Sequence, residues 1–175
     1  MQDGAGVEPL IDGYGRVATD LRVSVTDRCN LRCTYCMPEE GLDWLAPEAQ
    51  LSFEEIIRVT TILVGLGIRT VRLTGGEPLL RPRLAQLVAS MSELGLDDLS
   101  LTTNGTTLAR HAVALRDAGL TRVNVSLDSL ITHRFAEMTR RDALDRVLAG
   151  IAAAQDAGLR PVKVNCGGVG GPHDD

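Results

Sequence analysis

The sequence predicts an α/β fold in which five parallel strands alternate with helices, as an open sheet or one curling into a barrel. Three observations predict it. Four segments repeat one pattern: LGIRTVRLT, LGLDDLSLT, AGLTRVNVS and AGLRPVKVN. Each carries a glycine (Gly67, Gly95, Gly119, Gly158) between a helix-like stretch and a strand-like run, where glycine can take the left-handed conformation that ends a helix. The stretches 53–65, 82–94, 106–118 and 142–157 are long enough for helices, and strands joined by helices at this spacing make right-handed βαβ units.

In chain order, LRVSVT at 21–26 supplies a first strand with no helix of its own before it. Ser52 and Glu55 then form a capping box that opens the helix at 53–65. The four repeats supply the remaining strands. The expected organisation is an N-terminal segment over 1–20, a core over 21–165 and a glycine-rich, disordered tail over 166–175.

Strand side chains alternate between faces. One face gathers Val23, Val25, Val71, Leu73, Leu99, Leu101, Val123, Val125, Val162 and Val164, and is expected to pack under the helices. The other gathers Arg22, Ser24, Thr26, Arg72, Thr74, Ser100, Thr102, Asn124, Ser126, Lys163 and Asn165, and is polar throughout. A parallel sheet covered on both faces reads as continuous apolar runs, and a closed barrel fills its lumen with branched aliphatics. Neither pattern fits. Polar side chains from five strands imply a face that holds water and a polar ligand, although a sheet with one solvent-exposed face would carry the same alternation. Arg22, Arg72 and Lys163 make the expected ligand anionic.

The 175 residues, 44% hydrophobic, suffice for one sizeable core. A formal charge of -5 argues against a nucleic-acid partner. No apolar run approaches the ~18 residues of a membrane span, and the start lacks a charged and then apolar leader. The expected setting is soluble and cytoplasmic. Three of the four cysteines fall within eight positions, a clustering that in a reducing compartment points to metal rather than disulfides.

Those three stand in TDRCNLRCTYCMP, directly after the first strand, with Cys29, Cys33 and Cys36 spaced C-x3-C-x2-C. Soft thiolates select zinc, copper(I) or iron–sulfur clusters. A structural zinc site needs a fourth ligand, and none lies nearby: Cys166 sits at the end of another strand, and His111, His133 and His173 read as exposed helix or tail residues. With three protein thiolates, a four-iron cluster keeps one iron open for chemistry. A second motif, Gly75-Gly76-Glu77-Pro78, follows the second strand, where glycines admit close backbone approach. Asp128, Arg140 and Arg141 read as a solvated loop, and Trp44 as cover for the cysteine loop or as core.

The cysteine motif, its place after a strand, the βα repeat and GGEP together resemble the radical S-adenosylmethionine superfamily. The resemblance implies a partial, incomplete βα barrel, one [4Fe-4S] cluster on Cys29, Cys33 and Cys36, and S-adenosylmethionine held by Gly75, Gly76, Glu77, Tyr35 and Ser126. Within that group, LRVSVTDRCNLRCTYCMP, VRLTGGEPLLR, LTTNGTTL, AGLTRVNVSLDSL and VKVN look like the GTP 3',8-cyclase family of molybdenum cofactor synthesis. That likeness implies GTP as substrate, contacted by Arg22, Arg72, Thr102 and Lys163, together with an electron donor and room for a homodimer. It also implies a sixth strand and three further cysteines for a second cluster, which do not occur in the 175 residues. The chain therefore reads as truncated after the fifth strand and is expected not to complete the cyclisation alone. The rivals are another radical enzyme of the superfamily, for instance a peptide-modifying one, and a non-enzymatic zinc or iron–sulfur module.

Overall fold

The computed structural model describes residues 9–167. Of the expected tail over 166–175, only Cys166 and Gly167 lie within them, while His173 and residues 1–8 fall outside. Five strands form one sheet: β1 (Asp20–Ser24), β2 (Thr70–Thr74), β3 (Asp98–Thr103), β4 (Arg122–Ser126) and β5 (Val162–Asn165). They lie in sequence order and every neighbouring pair is parallel. The order never reverses, so successive right-handed crossovers place their helices on the same side and the sheet winds one way, as barrel sheets do. This resolves the alternative of open or curling sheet in favour of a partial barrel.

The helices are α1 (Phe53–Gly65), α2 (Leu84–Ser92), α3 (Ala112–Asp117), α4 (Thr132–Thr139) and α5 (Leu144–Asp156). The expected capping box opens α1: Ser52 Oγ accepts from the Glu55 N–H, and Glu55 accepts from the Ser52 N–H. The core lies where the alternation put it. Val71, Leu73, Leu99, Leu101, Val123 and Val125 are at most 2% exposed and pack with Leu87, Val88 and Met91 of α2, Leu115 of α3 and Val147 of α5. Burying each such side chain contributes about 1.5–3 kcal/mol before entropy is counted.

Three expectations are corrected. Val164 is 51% exposed rather than packed, because β5 is an edge strand with no helix after it among the described residues. The helices expected at 82–94 and 106–118 start later: a 3-10 turn at Pro78–Leu80 precedes α2, and another at Leu108–Arg110 precedes α3. Finally, α4 fills a stretch for which no helix range is predicted, between Asp128 and Arg140, both read as loop. It buries only Phe135 and Thr139, too few residues for a visible apolar period.

Candidate functional site

The C-terminal ends of all five strands meet around the cysteine loop, the end where parallel βα sheets carry their sites. The loop leaves β1 alongside the GGEP segment that leaves β2. Gly76 donates its N–H to the Thr26 carbonyl and Glu77 to the Arg28 carbonyl, both at 2.7 Å. A Cβ on Gly75 would collide with Thr26 backbone, and one on Gly76 with the carbonyls of Asp27 and Arg28. What comes close to these glycines is therefore the cysteine loop itself, while both remain exposed on their other side.

Glu77 points the other way. It is 0% exposed; Oε1 accepts from the Thr103 hydroxyl at 2.7 Å and the Leu79 N–H at 3.0 Å, and Oε2 from the Asn104 N–H at 2.7 Å. Burial raises its pKa, opposed by those hydrogen bonds. In this structure Glu77 ties the GGEP turn to the loop after β3.

That loop braces the first cysteine. Asn104 Nδ2 lies 2.8 Å from Asn30 Oδ1 and 3.9 Å from Cys29 Sγ. Burial pushes the Cys29 thiol upward, against hydrogen bonds from the Leu31 backbone and Asn104. Burial likewise raises Cys33, with the Cys29 and Cys36 charges adding to it. All four cysteines are free thiols. Among the described residues, no group of three His, Cys, Asp or Glu side chains is gathered tightly enough for a single metal ion.

The unexpected helix α4 holds the loop from behind. The Met138 and Thr139 carbonyls, at the helix end that lacks intrahelical donors, accept from the N–H groups of Thr34 and Arg32 at 2.9 and 3.0 Å. Arg140, in the left-handed conformation, donates Nη1–H to the carbonyls of Arg32 and Met37. Arg140 is thus a clamp rather than a solvated residue. Asp128 is corrected too: it accepts from Tyr35 and from the Gly167 N–H. Trp44 lies over the Arg32 guanidinium at 5.5 Å and so covers the loop. His133 is exposed as expected, but His111 is half-buried and burial lowers its pKa.

On the polar face, Arg22 and Arg72 are direct cross-strand partners. Arg72 in turn pairs with Ser100, and Ser100 with Arg122. The next row toward the cysteine loop holds Thr102, Asn124 and Lys163. Ser126 pairs with Asn165 at the end of β4. Arg22 and Lys163 are exposed, whereas Arg72, Thr102 and Ser126 are half-buried. Two buried nitrogens on this face, Arg72 Nε and Asn124 Nδ2, have no hydrogen-bond partner among the described residues. Arg122 and Asn124 complete the polar face. Arg122 was missed as a candidate, although period two points to it from Asn124. It is paired with Asp98, Nε–Oδ1 at 2.9 Å and Nη2–Oδ2 at 2.7 Å.

Curated relatives match nearly the whole chain. A GTP 3',8-cyclase of Streptomyces coelicolor is 59% identical over 172 residues, 97% of this chain and 50% of that protein. One from Mycolicibacterium smegmatis is 60% identical over 159 residues, 90% of this chain and 44% of that one. The chain spans about half the length of these relatives. Among solved structures, Streptococcus suis SuiB bound to precursor peptide SuiA superposes with a TM-score of 0.69 at 19% identity, covering 85% of this chain and 32% of that one. Native anSMEcpe with bound AdoMet gives 0.63 at 20%, covering 84% and 42%; both likenesses concern the fold. Residues 23–175 match the family described as the Radical SAM superfamily, and with the cysteine loop seated between β1 and the GGEP turn of a one-way parallel sheet, the chain belongs to that superfamily.

Proposed function

We propose that this chain forms the cluster-binding and nucleotide-binding part of a GTP 3',8-cyclase. Its 59–60% identity to proteins of that name supports the reading. The observation that carries the nucleotide half is the pairing of Arg22 with Arg72. Like charges directly opposite on neighbouring strands are destabilising, and neither Arg forms a salt bridge among the described residues. An anion between them removes the conflict, and arginine suits bidentate contact with phosphate oxygens. Arg22, Arg72 and Lys163 would hold the triphosphate, with Thr102 beside them.

Three free thiols on one loop are a soft donor set, which supports a cluster held by three thiolates. A closed structural zinc site would need a fourth protein ligand. When bound, a [4Fe-4S] cluster supplies a one-electron reductant with an open iron. The exposed backbone of Gly75 and Gly76 beside the loop would receive the methionine end of S-adenosylmethionine, with Tyr35 and Ser126 toward its adenosine. Glu77 serves from beneath, by fixing the turn.

Calorimetric titration of GTP into the chain and into Arg22→Ala, Arg72→Ala and Lys163→Ala tests the nucleotide half. Each variant is expected to bind at least about tenfold more weakly, roughly 1.4 kcal/mol; equal binding by all four proteins would sink it. Anaerobic reconstitution tests the other half: about four irons and four sulfides per chain are expected, whereas one zinc would refute it.

A further inference from the structure

We propose that Asn104 is a positioning residue for the cluster thiolate of Cys29, donating an N–H···S hydrogen bond that makes a cluster on this loop easier to reduce. The inference rests on the cluster reading above. Its basis is a closed ring of three side chains. Asn104 Nδ2 donates to Asn30 Oδ1 at 2.8 Å, Asn30 Nδ2 to Thr106 Oγ1 at 2.8 Å, and Thr106 Oγ1 to Asn104 Oδ1 at 2.7 Å.

The ring fixes which way the Asn104 amide faces. The Thr106 backbone N–H, which can only donate, reaches Asn104 Oδ1 at 3.0 Å. The oxygen is thereby assigned, and the second Nδ2 hydrogen is left for Cys29 Sγ at 3.9 Å. The Asn104 backbone is held as firmly, since its N–H donates to the buried Glu77 carboxylate. The GGEP turn, the loop after β3 and the first cysteine thus form one connected unit. Neutral amide donors at a ligand sulfur favour the more negative, reduced state of a cluster, and hydrogen bonds to the sulfurs are among the factors that set cluster potentials.

The test is a redox titration of the reconstituted 175-residue chain, followed by electron paramagnetic resonance with iron counted in each sample. Asn104→Asp keeps the shape and the Thr106 acceptor but removes the N–H donors and adds a negative charge that lowers the potential in the same direction. It is expected to load the same iron and to reduce about tenfold less favourably, a drop of about 59 mV for one electron. The neutral Thr106→Val separates the bond from the charge: it leaves Asn104 in place but opens the ring, and a smaller shift of the same sign is expected. An unchanged potential in Thr106→Val at full iron content would overturn the inference. A wild-type chain that takes up no four-iron cluster overturns the cluster reading, and this inference with it. Loss of iron in Asn104→Asp alone leaves the decision to Thr106→Val: a lowered potential supports the bond and an unchanged one refutes it.

Discussion

Tyr35 donates its phenolic hydrogen to Asp128 Oδ2 at 2.5 Å, joining the cysteine loop to the residue group that follows β4. Asp128 Oδ1 also accepts from the Gly167 N–H at 2.8 Å, so one carboxylate ties three strand ends together. Partial burial first, and then the Asp128 acceptor, push the phenol well above its ordinary range, so it stays a donor at any physiological pH. We predict that Tyr35→Phe costs about 1 kcal/mol of loop stability. Hydrogen exchange should speed several-fold at residues 33–37 while α2 is unchanged; equal protection across the loop would count against the tie.

The Arg22–Arg72 pair predicts opposite effects on stability and binding. Arg72→Met should stabilise the ligand-free chain by about 0.5 kcal/mol, by removing a like charge from a cross-strand pair, while weakening the GTP binding proposed above. The gain should shrink in high salt, because screening already relieves the wild-type repulsion. Urea unfolding at two salt concentrations measures it, and a variant less stable at both would show that the arginines do not repel.

Asp98 and Arg122 give a pH signature. Burial of Asp98 works against ionisation, but the Arg122 and Thr121 hydrogen bonds outweigh it and hold the carboxyl below its ordinary 3.8. A depressed folded-state pKa means stability that is present above 3.8 and lost as pH falls through the lower folded value. We expect Arg122→Met to cost about 1–2 kcal/mol at pH 7, and the difference from wild type to narrow below pH 3.8. A difference independent of pH would assign the loss to packing instead.

At Gly76 the demand is steric, since its added Cβ would strike two carbonyls of the cysteine loop. Gly76→Ala is expected to lower stability by about 2 kcal/mol or more, in the range of overpacked cores, and to cut iron uptake on reconstitution. Gly13→Ala, where nothing lies within 4 Å of the added carbon, serves as the control. Full iron loading by Gly76→Ala would refute the close seating of GGEP on the loop.

Much of this was legible in the sequence because the signals were periodic. Alternation separated Leu73 and Leu101 from Arg72 and Ser100, and the glycine repeat located four of the five strands. The thiol spacing located the loop. What alternation could not convey is where a polar atom ends up once long-range partners arrive. Glu77 sits in a motif that suggested cofactor contact, yet Thr103 and Asn104, more than twenty residues later, draw it inward. Helix α4 was illegible for a related reason: its value lies in carbonyls and in Arg140, which leave no hydrophobic period. Val164 repeats the apolar pattern of its strand, but nothing within that strand marks it as the edge.

The Arg140 clamp also bears on the order of events during synthesis. Arg140 lies 108 residues after Arg32, whose carbonyl it holds. On a ribosome the three cysteines therefore emerge well before the helix whose carbonyls and Arg140 hold their loop, so these contacts cannot form until α4 has been made. A cluster on this loop, as proposed above, would have to await α4 for its final seating rather than the appearance of the cysteines.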